Sequence, residues 1–352
     1  MKGLNRRQLG LITAVFSTVI VAGVLHYTDA EPLVVFTVAA LALAGVAWLV
    51  SFATEAVGAR FGPSVTGVLQ STLGNLPELF IVIFAIRAGE TVVAQTSILG
   101  SILANALLVL GATIVVGARR GGGVMTFNKR LPNDTATLLM LAIFIITLLG
   151  LSESVGDRAS KHQVEISVIG ALCLLGVYAA WLIPYLRRGT AEESGTGHES
   201  GVSLALAIGL LAVAGVSAAL VSDWFVLALD PAVEKLGISK TFTGLVIVAI
   251  AGNAVENTTA LVLAAKRQSD LAISVVKNSV AQIAVFLFPV LVLISLGFDT
   301  RLTFVLAPVF IGALVLTALA VWQITGDGEA YEYEGWALIA IYVILAVIAF
   351  YE

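Results

Sequence analysis

Charge is scarce in this chain. Asp, Glu, Lys and Arg together make up 12% of it, where soluble domains carry about a quarter, and that shortage excludes an ordinary soluble domain. Nucleic-acid binding is excluded as well, because the few basic residues are spread over loops and build no patch. Cysteine occurs once, as Cys173 inside an apolar run. One cysteine excludes a disulfide framework, and the thiol reads as a packing residue. The three histidines, His26, His162 and His198, fall at the ends of apolar runs or between them. No Ser/His arrangement or metal-ligating histidine cluster is present, which argues against an intramembrane protease or lipid hydrolase. The glycine-rich "ARRGGGV" (118–124) has neither a flanking strand nor a Gly-Lys-Ser/Thr ending, so it reads as a flexible cytoplasmic turn and not a phosphate loop. Nothing points to an organic cofactor.

The chain has apolar length instead: 59% hydrophobic residues and a mean hydropathy of +1.01. A helix needs about 20 mostly apolar residues to cross a bilayer. By that rule spans are predicted near 9–27, 32–58, 64–87, 91–117, 134–151, 163–186, 202–234, 240–265, 270–296, 302–324 and 335–351. The fold class is thus an all-α polytopic membrane protein of about eleven transmembrane helices. The N-terminal "MKGLNRRQLGLITAVFSTVIVAGVL" is basic and then apolar, like a signal peptide, but "YTDAEP" makes a poor cleavage site. It reads as a first membrane helix. In the overlong seventh span, Asp230–Pro231 is expected to break the helix or end its membrane part.

Loop charges set orientation. With the N-terminus inside, Lys2, Arg6, Arg7, Arg60, Arg119, Arg120, Lys129, Arg130, Arg187, Arg188, Lys266 and Arg267 are cytoplasmic. Arg87, Arg158, Lys161, Lys235, Lys240 and Arg301 lie on the other side. Twelve against six gives a cytoplasmic N-terminus and an outside C-terminus in the cytoplasmic (inner) membrane. The remaining cation, Lys277, falls inside the ninth span. The polar stretch "RRGTAEESGTGHES" (187–200) is a solvated linker whose Glu192, Glu193 and Glu199 are candidate cytoplasmic cation contacts. "EAYEYE" (329–334) reads as an interfacial loop.

One short motif occurs twice. "GNLPE" at 74–78 returns as "GNAVE" at 252–256, an offset of 178. Downstream, Ser97, Ser101 and Asn105 are matched by Ser274, Asn278 and Gln282, with Ser279 adjacent; upstream, Glu55 is echoed by Glu234. The chain then divides into an extra helix (1–31), a five-span repeat (32–187), an acidic cytoplasmic linker (188–201) and a second five-span repeat (202–352). Five is odd, so the copies run through the membrane in opposite directions. That inverted-repeat plan is shared by many secondary transporters, with the site at the midplane.

The motif residues are costly in an apolar helix. Pro77 has no N–H, which leaves the Leu73 carbonyl without its helical donor. Gly74, with Gly252 in the second copy, lets a ligand approach the backbone. Asn75 and Glu78 share one helix face, as do Asn253 and Glu256. An ionisable residue at mid-bilayer marks an ion path or a proton relay by default. Carboxylates, amides, hydroxyls and freed carbonyls are hard oxygen ligands that suit Ca²⁺, and the absence of thiolate and imidazole argues against Zn²⁺ or Cu⁺. Two facing carboxylates at low dielectric cannot both stay ionised, so protons and a divalent cation compete for them.

These paired motifs resemble the calcium/cation antiporter superfamily, most closely its proton/calcium exchanger branch, and the resemblance covers nearly the whole chain. It implies that Glu78 and Glu256 bind Ca²⁺ and H⁺ alternately, supported by Asn75, Asn253, Ser101, Ser279 and Gln282. It also implies that the long helices 32–58 and 202–234 slide as gates. Three residues depart from that branch: Pro77 before the first glutamate, Asn257 after the second, and Lys277 in the polar stripe. Lys277 is either turned away and paired elsewhere or a tethered cation beside a glutamate. The second case leads to the alternative, a Na⁺-coupled or monovalent-cation/H⁺ antiporter on the same scaffold. An ion channel is a further reading from a different class, separable by saturable, counter-ion-dependent flux.

Overall fold

In a bilayer every backbone polar group must be satisfied internally, and long apolar runs therefore become helices. The computed structural model of the chain is built almost wholly of them. It describes residues 4–58, 60, 69, 72–128, 130–192 and 202–352, without the side chains of 130–134, 185–192, 255 and 256. The helices are α1 (Arg6–Tyr27), α2 (Pro32–Gly58), α3 (Leu76–Arg87), α4 (Thr91–Gly121), α5 (Arg130–Val155) and α6 (Gln163–Glu192). After the linker come α7 (Leu204–Leu236), α8 (Lys240–Gly252), α9 (Ala254–Ala265), α10 (Ser269–Ser295), α11 (Pro308–Thr325) and α12 (Glu332–Tyr351). Among the described residues nine helices are long and apolar enough to cross a membrane, or ten if α8 and α9, bent by 56°, form one span. Part of the span predicted at 64–87 lies outside the described residues, and α3 is its described remainder.

Several elements differ from their sequence expectations. Helix α7 runs straight through Asp230–Pro231 and stops at Gly237, whose φ of 63° caps it. Pro231 removes only the donor to the Leu227 carbonyl, one bond in a helix of 33 residues. The tenth span begins at Pro308 and not near 302, because the residue before a proline avoids the helical region. Ala307 is extended (φ −58°, ψ 141°), and the Phe304 N–H is held by Ser167 Oγ at 3.1 Å. Cys173 is exposed instead of packed. The two segments read as loops form a small antiparallel sheet, β1 (Val124–Thr126) with β2 (Glu329–Tyr331). Gly122 and Gly123, at φ 83° and 110°, make the turn into it.

Contacts between loops sort the molecule into two ends. At one end Glu31 pairs with Lys235, and Lys240 with both Glu90 and Asp230; Ser239 Oγ donates to the Ala349 carbonyl. At the other, β1 pairs with β2, Arg119 pairs with Glu332, Asn128 N–H donates to Asp270 and Arg60 donates to the Val202 carbonyl. Each contact joins loops that the charge pattern assigns to the same side.

The interior is organised by close crossings. Helices α2 and α7 lie along each other, with the rings of Phe36 and Phe225 stacked at 4.7 Å. Helix α1 packs on both, and the Trp224 ring occupies the space beside Gly23. Helix α4 meets α8 so closely that a Cβ at Gly100 would lie 2.4 Å from the Leu245 carbonyl oxygen, and one at Gly244 would lie 2.0 Å from Thr96 Oγ1. Glycine at both positions is what permits the crossing. Wide π-helical turns interrupt α4 at Ala104–Val109, α8 at Thr243–Val248 and α10 at Ile283–Leu287. Such turns insert a residue and re-aim the side chains around them.

Candidate functional site

Both Gly-Asn motifs break their helices at the same place. Asn75 (φ −84°, ψ 11°) and Asn253 (φ −98°, ψ 16°) leave the helical region, and a new helix starts at the next residue in each case. Proline at the second position of α3 is tolerated because a first-turn N–H has no helical partner anyway. Glu78 falls in the first turn of α3, where the helix dipole favours a negative charge. The Asn75 and Asn253 carbonyls accept from Leu79 N–H at 2.9 Å and Asn257 N–H at 3.0 Å, which leaves each oxygen one lone pair.

Glu78 is 4% exposed. Its Oε1 accepts from the Ser101 hydroxyl of α4 and from Asn253 Nδ2, at the break between α8 and α9, at 2.5 Å. Asn253 Nδ2 also lies 2.9 Å from Ser101 Oγ and 2.9 Å from the Ala249 carbonyl. Its Oδ1 accepts from Asn105 Nδ2 at 2.8 Å, which in turn is 3.4 Å from Ser279 Oγ on α10. One network thus runs from the first motif through α4 to the second motif and on to α10. Gly252 is part of the fit: a Cβ there would stand 2.9 Å from Glu78 Cγ and 3.2 Å from its Oε1. Ser222 on α7 approaches the Pro77 carbonyl at 3.5 Å, which brings α7 against the same motif.

The structure therefore draws together Glu78, Asn253, Ser101, Asn105 and Ser279. Asn75 and Gln282 are buried nearby in the fold, and the Gln282 Oε1 and Asn105 Oδ1 atoms are buried without a hydrogen-bond partner. Ser97 is buried but turns back to the Ala94 carbonyl at 3.1 Å. Ser274 and Asn278 are only half-buried, and Asn278 Oδ1 has no partner. Leu73 is half-buried and Gly74 buried at the break. Glu256 lies on α9, but its side chain is outside the described residues, as are the Glu192 side chain and the whole of Glu193 and Glu199. Among the described residues no cluster of three His, Cys, Asp or Glu side chains could hold a metal on its own.

Lys277 is buried and bonded to a hydroxyl on another helix. It is 5% exposed and its Nζ donates to Thr325 Oγ1 of α11 at 2.7 Å. It lines an apolar pocket with Leu110, Leu139, Val280, Val321 and Trp322. The Glu256 side chain lies outside the described residues, and among those described Lys277 forms no ion pair with Glu78. The helical geometry explains why: Lys277 is one residue, about 100°, from Asn278 and so points off the polar stripe. Sequence reasoning missed Thr325 and Ser222, and no local signal marks either, because both are defined by contacts across the fold.

Comparison with known proteins places this arrangement in context. The family described as sodium/calcium exchanger protein matches residues 31–185 and 206–351. A Ca²⁺/H⁺ antiporter of Bacillus subtilis is 32% identical over 98% of this chain and 99% of its own length. Another from Synechocystis is 30% identical over 99% of this chain and 98% of its own. The solved structure of native YfkE superposes with a TM-score of 0.83 and 29% identity, covering 97% of this chain and 100% of that one.

Proposed function

Since the chain belongs to the sodium/calcium exchanger family, we propose that it exchanges Ca²⁺ for H⁺ across the cytoplasmic membrane by alternating access. It has an extra helix and two inverted five-helix repeats, eleven spans in all, with the N-terminus cytoplasmic and the C-terminus outside. The repeat reading is supported by the equal helix breaks at Asn75 and Asn253 and by the family match falling in two blocks on either side of the linker. Paired loop contacts at two ends support the sidedness.

The observation that carries the proposal is the Glu78 carboxylate, buried and held by donors from α4 and from the second motif. A cation at Glu78 competes with those donors. Rotating the Asn253 amide exchanges its Nδ2 donor for its Oδ1 acceptor, which turns a group that stabilises the empty carboxylate into an oxygen ligand. With Glu256, Asn75 and the hydroxyls of Ser101 and Ser279, the site supplies the hard oxygen set that Ca²⁺ takes. Protonation of the carboxylates discharges the ion, and a neutral or cation-neutralised site can reorient where an uncompensated dianion is costly. Ca²⁺ moves one way and protons the other.

The test is uptake of Ca²⁺ into proteoliposomes driven by an imposed pH gradient, with and without Na⁺. Gradient-driven uptake lost in both Glu78→Gln and Glu256→Gln establishes the exchanger and its two carboxylates. Uptake that requires Na⁺ at fixed pH selects the sodium-coupled alternative. Absence of Ca²⁺ flux under every gradient refutes the calcium assignment.

A further inference from the structure

Besides the buried network, the structure holds a cavity of about 700 Å³ between α2, α9 and α10. Its lining includes Ser51 and Glu55 of α2, Ala254, Thr258 and Thr259 of α9, and Lys266 just past that helix. It opens at the end of the molecule that carries Arg60, β1–β2 and Asp270. Its lining comes within one residue of the Glu78 network. Ala254 lines the cavity, and the preceding residue, Asn253, bonds Glu78. At the opposite end the loops are tied instead, by Lys240 to Glu90 and Asp230 and by Lys235 to Glu31.

Glu55 is the only carboxylate among the described residues that line this cavity. It is exposed and makes no hydrogen bond or ion pair with another described residue. Lys266, the only cation among the described residues that line it, likewise forms no ion pair among them. Lys266 has a separate structural explanation, since a cation at the C-terminal end of α9 complements that helix's dipole. Glu55 has none: it lies near the C-terminal end of α2, where the dipole disfavours a negative charge. A charge kept against that field, in a cavity lined mostly by apolar side chains, focuses potential on whatever enters.

We propose that Glu55 is the recruiting carboxylate of this route, drawing the divalent cation from water towards Glu78, with Lys266 opposing it. The inference rests on the calcium reading of the site. Glu55 is not a ligand of the bound ion; it acts on the ion's arrival. The effect is electrostatic and long in range, so it must fade once the salt is raised to where the Debye length is about 3 Å, near 1 M.

The experiment is stopped-flow association of Ca²⁺ with the purified full chain in detergent, reported by a competing fluorescent calcium indicator, at low and at high ionic strength. Glu55→Gln is expected to slow association about threefold to tenfold at low salt, within the range of electrostatic steering, with dissociation unchanged and the difference gone at high salt. Glu55→Asp restores most of the rate, and Lys266→Gln raises it. Glu234→Gln serves as the control. It removes the sequence counterpart of Glu55, at the C-terminal end of α7, and leaves the rate unchanged. An unchanged rate in Glu55→Gln overturns the proposal, as does an equal loss in Glu234→Gln or a loss that persists at high salt. Failure of the calcium reading is separate and visible in the same data: the unsubstituted protein and Glu78→Gln then take up no Ca²⁺ from the indicator.

Discussion

The two Gly-Asn motifs share a backbone break but divide the labour around the one carboxylate whose contacts are described. At the first, Glu78 is the acceptor on which the network converges, while at the second, Asn253 is the donor that reaches it and passes the connection to Asn105. Repetition in sequence fixes where the helices break, and the crossing of α4 with α8 decides which side chain meets which. The duplicated pattern accordingly contributes to one hydrogen-bond network, with an acceptor from one motif and a donor from the other.

Breaking the acceptor should do most damage. Glu78→Gln is expected to lower Ca²⁺ exchange by more than about 100-fold, beyond the 10–100-fold typical of groups that only support a metal ligand. Gradient-driven flux measures it. Asn253→Ala should follow, with the apparent Ca²⁺ affinity weakened about 10–100-fold. An equal effect from Asn75→Ala would erase the asymmetry between the motifs, and a smaller one would sharpen it.

Glycine substitutions separate the site from the scaffold. Gly252→Ala places a Cβ 2.9 Å from Glu78 Cγ, a flexible side chain that can shift. Affinity should fall about tenfold, or about 1.4 kcal/mol, while thermal stability in detergent is kept. Gly100→Ala meets the Leu245 backbone oxygen at 2.4 Å, which cannot shift cheaply. That change should destabilise the fold by about 1–3 kcal/mol, read as a lowered melting temperature. Lys277→Met should be milder: loss of the hydrogen bond to Thr325 costs about 1 kcal/mol of stability and leaves the choice between Ca²⁺ and Na⁺ unaltered in competition flux assays. Smallest of all is Lys240→Gln at the tied end, about 0.2–1 kcal/mol as for other exposed ion pairs.

Much of this was legible in the sequence because the bilayer simplifies the code. Spans follow from apolar length, and Gly74, Asn75, Pro77 and Glu78 stand out against that background as liabilities with a shared position. The offset of 178 between motifs pointed to Asn253 and Gly252. Helical spacing found Ser101 and Asn105, while Ser279 entered as the neighbour of Asn278 and through the family resemblance. The side chain of Lys277 was another matter. A residue in a polar stripe can turn either way by one helical position, and its partner Thr325 is 48 residues on, on another helix. The passage of α7 through Pro231 was hidden for a similar reason. Whether one lost hydrogen bond ends a helix depends on how the rest of the helix is packed, which sequence does not carry. The small β1–β2 sheet joins segments too short and too distant to announce each other.

Proton release on Ca²⁺ binding tests the central claim most directly. Ca²⁺ is added to the purified protein in weakly buffered detergent, and the pH change is compared with that of Glu78→Gln. If protons and Ca²⁺ compete for the site, binding to the unsubstituted protein releases protons, and the glutamine variant releases fewer or none. Calcium binding without proton release, or release that Glu78→Gln leaves undiminished, would contradict the account.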